Sequence, residues 1–128
     1  MGNTFAFDHS WSRPRRKYHN ETAIVEGQAF DSRREARRFQ ELRLLERGGE
    51  IADLQRQPEF PIHSPILSHA GEVIGLVVVA KYIADFQYRD LRRAGAVVIE
   101  DAKGVRTPLY RLKKRLVVAQ YGIDIREV

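Results

Sequence analysis

Apolar positions along this chain fall into distinct rhythms, and each rhythm predicts an element. From Ser32 to Arg47, Ala36, Phe39, Leu42 and Leu45 recur every three to four positions, the spacing of one helix face. Ser32 and Glu35 have capping-box spacing at its start, and Gly48-Gly49 ends it. A second helix is predicted over Leu109–Tyr121, with Gly122 as its stop. Between the helices the pattern is that of strands. Ile51–Ile62 reads as an extended segment interrupted by Pro58 and Pro61, which suit an edge or an irregular strand. Val73–Tyr88 is a long stretch of β-formers, read as one bent strand, and Ala96–Lys103 follows after a turn over Arg89–Gly95. Ala23–Phe30 reads as a hairpin around Glu26-Gly27, and Ile123–Val128 as a short closing strand.

The predicted order is hairpin, helix, three strands, helix, strand. It implies an α/β fold, a mixed β-sheet flanked by helices, as a single domain over residues 21–128. Residues 1–20 lack periodicity and read as a basic N-terminal arm. Of the 128 residues 43% are hydrophobic, enough for a core without a staple. The chain has no cysteine, which excludes disulfides and thiolate zinc sites and fits a cytoplasmic protein. Its longest apolar run, Val73–Ala80, is too short to span a bilayer, so no membrane association is expected.

The net charge is +5 and the pI about 9.8. That balance favours a polyanionic partner, DNA or RNA. Lys103, Arg106, Arg111, Lys113, Lys114 and Arg115 form a basic run with no acidic residue from 103 to 120. Arg13, Arg15, Arg16 and Lys17 form a second cluster near the other end. A basic groove assembled from both ends is the expectation, with Arg15, Arg16, Lys17, Arg106, Arg111, Lys113 and Lys114 on phosphates.

Strand alternation orders the candidate chemistry. Ile83, Asp85 and Gln87 share one face of their strand, and Tyr82, Ala84, Phe86 and Tyr88 the other. In the next strand Val97, Ile99, Asp101 and Lys103 share a face, so Asp101 and Lys103 are neighbours and Glu100 points away. Carboxylates among apolar residues are costly unless paired, hydrogen-bonded or metal-bound. If the two strands are neighbours, Asp85 and Asp101 meet, and a divalent cation relieves their repulsion. All-oxygen ligands suit magnesium or manganese. Lys103 then stabilises charge on a phosphate or orients the attacking water. Glu35 lies on the helix face that meets the sheet. Taken singly, each residue has a plainer role: Glu35 as the capping partner of Ser32, Asp85 as a turn cap, the basic run as a solvated face. Their joint order points to a site. The four histidines show no metal-ligand spacing, and there is no P-loop and no nucleophile elbow.

Asp85, Asp101-Ala102-Lys103 and Glu35 together resemble the PD-(D/E)XK nuclease superfamily, whose fold is that of type II restriction enzymes. In that pattern an Asp ends one strand, an acidic residue, any residue and a Lys end the next, and many members add a Glu from the first core helix. Here the acidic residue is Asp101 rather than the commoner Glu, and Ala84 stands where a Pro is usual. Phe30–Ala36, Tyr82–Phe86, Glu100–Gly104 and Tyr121–Ile123 also resemble a family of small phage and prophage proteins of poorly defined function, over about residues 17–128. The arrangement is similar as well to phage junction-resolving endonucleases and to transposase endonuclease subunits. The resemblance implies a restriction-endonuclease-like fold. It also implies a Mg- or Mn-dependent endonuclease with Glu35, Asp85, Asp101 and Lys103 as its catalytic residues, the three carboxylates holding the metal. DNA is the implied partner, branched or structured in phage recombination or replication, and a homodimer is an open expectation. Two alternatives stay open: a nuclease-fold DNA-binding protein with little cleavage, and a subunit active only in a larger assembly.

Overall fold

The computed structural model describes residues 22–103 and 105–128, so the predicted N-terminal arm lies outside the described residues. Strands β1 (Ala23–Val25) and β2 (Gln28–Phe30) form the expected hairpin. Glu26 and Gly27 turn it with φ of 52° and 78°, the left-handed pair that matches strand twist. Helix α1 (Arg33–Arg47) begins where the Ser32 hydroxyl accepts a hydrogen bond from the Glu35 N–H at 3.1 Å. Its buried residues are Glu35, Ala36, Phe39 and Leu42.

The middle of the chain departs from the predicted three strands. Ile51–Ile62 is two strands, β3 (Ile51–Arg56) and the start of β4 (Glu59–Leu67), separated by Gln57 at φ 53° and Pro58. Val73–Tyr88 also divides, into β5 (Val73–Ile83) and β6 (Phe86–Asp90). The division falls at Ala84-Asp85 because the backbone changes partners there. The Ala84 N–H donates to the Pro58 carbonyl, and the Asp85 N–H donates to that of Glu100. A 3-10 turn, Leu91–Arg93, leads to β7 (Ala96–Asp101). Helix α2 (Pro108–Tyr121) starts on Thr107 with Pro108 in its first turn and stops at Gly122, φ 65°. Strand β8 (Arg126–Glu127) closes the chain.

Strands β3, β6, β7 and β8 form a four-stranded sheet in that order, antiparallel except for the parallel β7–β8 pair. Strands β4 and β5 form a separate antiparallel pair. The protein is thus a mixed α/β fold whose main sheet lies between the two helices. Val98 packs with the cluster of Phe30, Phe39, Leu42, Phe86 and Tyr88 under α1. Its neighbour Ile99 packs with Ile62, Tyr82, Ala84, Val117 and Ile125 under α2. Successive strand residues face opposite sides, so the two cores lie on opposite faces. No described helix is long and apolar enough to cross a membrane.

Candidate active site

Asp85 sits at the corner where β5 gives way to β6, and Asp101 at the end of β7, directly across the antiparallel pair. Their positions are locked reciprocally. One oxygen of Asp101, Oδ1, accepts from the Asp85 N–H at 3.1 Å, and Asp85 Oδ2 accepts from the Ala102 N–H at 2.7 Å. Each carboxylate therefore fixes the strand end that carries the other. Lys103 continues from β7 and places Nζ 3.8 Å from Asp101 Oδ1 and 4.7 Å from the centre of the Tyr110 ring. Asp85, Asp101 and Lys103 thus lie together at one end of the sheet.

Glu35 approaches from the first turn of α1. It is buried, and its carboxyl is raised from 4.5 to about 7 by that burial and by the charges of Asp85 and Asp31. Arg56 opposes the rise from 3.6 Å, an ion-pair separation too long for a hydrogen bond. The Ser32 hydroxyl takes the Glu35 backbone N–H, while Glu35 Oε2 has no hydrogen-bond partner among the described residues. That oxygen is thus not spent on the cap, and the carboxyl lies near enough to Asp85 to feel its charge. Asp101, fully buried, is raised to about 6 by burial, with Lys103 opposing, and its Oδ2 is likewise unpartnered. Burial also raises Asp85, against the Ala102 N–H and the charges of Lys103 and Arg56.

Two buried orphan oxygens, raised carboxyls and hard donors fit a small divalent cation. Among the described residues no three carboxylate or imidazole groups already enclose one ion. Glu100 takes no part. It is fully buried and faces α1, where Arg38 Nε and Nη2 hold its carboxylate at 2.8 and 2.7 Å and Tyr88 and Arg126 add hydrogen bonds. Burial opposes its ionisation, yet these donors hold it below the usual carboxylate range.

The basic residues are arranged differently from the sequence expectation. Arg15, Arg16 and Lys17 lie outside the described residues. Arg106 and Lys114 both pair with Glu127, at 2.5 and 3.1 Å, and those hydrogen bonds, with one from Tyr110, hold Glu127 down at about 2. Lys113 donates to the Lys81 carbonyl at 3.1 Å, while Arg111 is exposed. Exposed Leu109 and Leu112 stand among them, so the outward face of α2 is mixed rather than basic.

A second basic surface escaped the sequence reading. Arg34, Arg37 and Arg38 line a cavity of about 280 Å³ with Glu41, Ala102 and Val128. Ala102 is the residue whose N–H holds Asp85, so these arginines border the acidic pair. The signal lay in the 34, 37, 38, 41 spacing, which puts all four on one helix face. Counting basic runs at the two chain ends passed over it. On the other side, Lys81, Lys103, Tyr110 and Lys113 line another cavity of about 280 Å³. Ala102 and Lys103, the two residues after Asp101, thus each line a basic depression.

No curated protein and no solved structure matches the chain. A family model described as "Protein of unknown function (DUF1064)" matches residues 15–127, and the protein belongs to that family.

Proposed function

We propose that the protein is a metal-dependent endonuclease of the PD-(D/E)XK type acting on DNA. The observation that carries this reading is the mutual anchoring of Asp85 and Asp101 across β6 and β7, with Lys103 beside Asp101 and a buried Glu35 carboxyl close enough to Asp85 for their charges to interact. A structural ion pair has no use for three carboxyls held above their usual range, since each costs stability when ionised. Glu35, Asp85 and Asp101 are the residues that would hold magnesium or manganese. When bound, the ion polarises the phosphate and eases loss of a proton from water.

The chain's own groups supply the rest. Arg34 and Arg37 bind and orient the phosphate backbone from the α1 side, and Lys81 and Lys113 from the α2 side. Lys103, held over the Tyr110 ring, meets the negative charge that builds on the phosphate oxygens as water attacks phosphorus and the ester bond breaks.

A second reading, a nucleic-acid-binding module without cleavage, is favoured by the backbone hydrogen bonds that now occupy Asp85 Oδ2 and Asp101 Oδ1. Incubating the protein with duplex, single-stranded, flap and four-way-junction DNA, with magnesium, manganese or EDTA, separates the two. Cleavage dependent on the ion, lost in Lys103→Ala and Asp85→Asn while binding is kept, is the expected result. Undiminished cleavage in EDTA overturns the metal chemistry, and binding without cleavage under every condition leaves the second reading.

A further inference from the structure

The β4–β5 hairpin is the part of the molecule least explained by the site. Its strands pair only with each other among the described residues. Two-stranded sheets are at best marginally stable alone in water. This one is apolar on both faces. By their register with β4, Val73, Leu76 and Val78 expose one side of β5 and Val77 the other, with Ile74 and Val79 at two bulges, each between 45% and 66% accessible. With Ile66, Leu67 and Ile83, the exposed apolar surface over its two faces is on the order of 800 Å², more than a monomer usually leaves open.

The two edges of the hairpin differ. The outer edge of β4 is closed. The Pro61 carbonyl accepts from the Tyr121 hydroxyl at 2.8 Å and the Gln120 amide at 3.2 Å, and the His63 N–H donates to Gln120 at 2.9 Å. Residues 61, 63 and 65 therefore turn their backbone groups outward, where Pro61 and Pro65 have no N–H to offer. The outer edge of β5 is less protected: bulges at Ile74 and Val79 interrupt it near its ends, and the regular stretch between them, Gly75–Val78, is open among the described residues. From Val73 to Ala80 it carries no proline and no charge, and among the described residues a side chain, that of Lys113, takes an outward carbonyl only at Lys81.

We propose that β5 pairs with β5 of a second copy of this chain, antiparallel about a twofold axis near Leu76-Val77. The product is a continuous four-stranded sheet, β4-β5-β5-β4. One open edge and one closed edge explain why the assembly stops at two, since both outer strands of the joined sheet are the blunted β4. The same segment is ill suited to other occupants. Residues 62–80 contain no Lys or Arg to meet phosphate, and no Trp or Tyr to anchor in a bilayer interface. The inference is independent of the nuclease reading.

The test is the solution mass of the full chain by light scattering, with two variants. The expected mass is twice 14.8 kDa. Leu76→Lys/Val77→Lys changes exposed side chains only and is expected to halve the mass while the circular dichroism spectrum is kept. The chain has no cysteine, so Val77→Cys gives a clean second readout: an oxidised disulfide-linked dimer, absent in Ile24→Cys on the distant β1. A wild-type mass of 14.8 kDa overturns the proposal, in favour of a lipid surface if that monomer sediments with phosphatidylcholine vesicles. So does a dimer in which Val77→Cys fails to cross-link. Failure of cleavage leaves all these readouts unaffected.

Discussion

Glu35 shows how one side chain changes meaning with its surroundings. Three residues after a serine at a helix start, it is a capping partner by position. In the folded chain the serine takes only its backbone N–H, and its carboxyl is left buried near Asp85 and Asp31. The consequence for stability has a definite sign. A carboxyl raised from 4.5 to about 7 favours folding below pH 4.5 and loses that contribution as pH rises toward 7. Once ionised it withholds on the order of 3 kcal/mol. Asp101, raised to about 6, acts in the same direction. In EDTA, Glu35→Gln is therefore expected to melt above wild type at pH 8, with the gap closing below pH 5. Equal melting temperatures of the two proteins at both pH values would mean that Glu35 is not held in the buried, proton-retaining environment described here.

The elements explain where charge can act. On α1, Arg38 is committed to Glu100, a fully buried carboxylate that would otherwise keep only Tyr88 and Arg126 as donors. Arg34 and Arg37 stand on the same face and line a cavity with Ala102, the residue that anchors Asp85. On α2, by contrast, Arg106 and Lys114 are drawn onto Glu127 of β8. The DNA-binding surface is therefore expected on α1 more than on α2. Arg34→Gln/Arg37→Gln should reduce the slope of log affinity against log salt by about two and weaken binding to all DNA sequences alike. Arg106→Gln should leave that slope nearly unchanged. Titrations by fluorescence anisotropy at several salt concentrations give both slopes. An unchanged slope in the α1 double variant would place the phosphate contacts elsewhere.

At the scale of the whole molecule, the site ties together elements from distant parts of the chain. Glu35 comes from α1, Asp85 from the β5–β6 corner, and Asp101 and Lys103 from the end of β7. An ion bound only by the folded arrangement stabilises it by mass action, about 2.7 kcal/mol at a hundredfold excess over its dissociation constant. Magnesium or manganese is thus expected to raise the melting temperature of the wild type several degrees and to leave Asp85→Asn/Asp101→Asn unmoved. Differential scanning fluorimetry with and without EDTA measures it. A shift of the same size in both proteins would locate the ion at another site.

What the sequence determined by itself is local. The 3.6-residue rhythm marks α1 and α2, Gly122 stops the second helix, Glu26-Gly27 turns the hairpin, and alternation puts Asp101 and Lys103 on one face with Glu100 on the other. These follow from backbone conformation within a few residues, which side-chain type controls directly. Only the tertiary structure decided that Val73–Tyr88 breaks at Ala84-Asp85 and that Ile51–Ile62 breaks at Gln57-Pro58. It alone brought Asp85 against Asp101, set Glu127 on Arg106 and Lys114, and left β5 with an open edge. A period of two says which side chains share a face but not which strand supplies the hydrogen bonds, and those bonds come from residues tens of positions away. The Asp85 N–H goes to Glu100 and Asp101, and the Ala84 N–H to Pro58, because that pairing satisfies each buried backbone group while keeping both cores apolar.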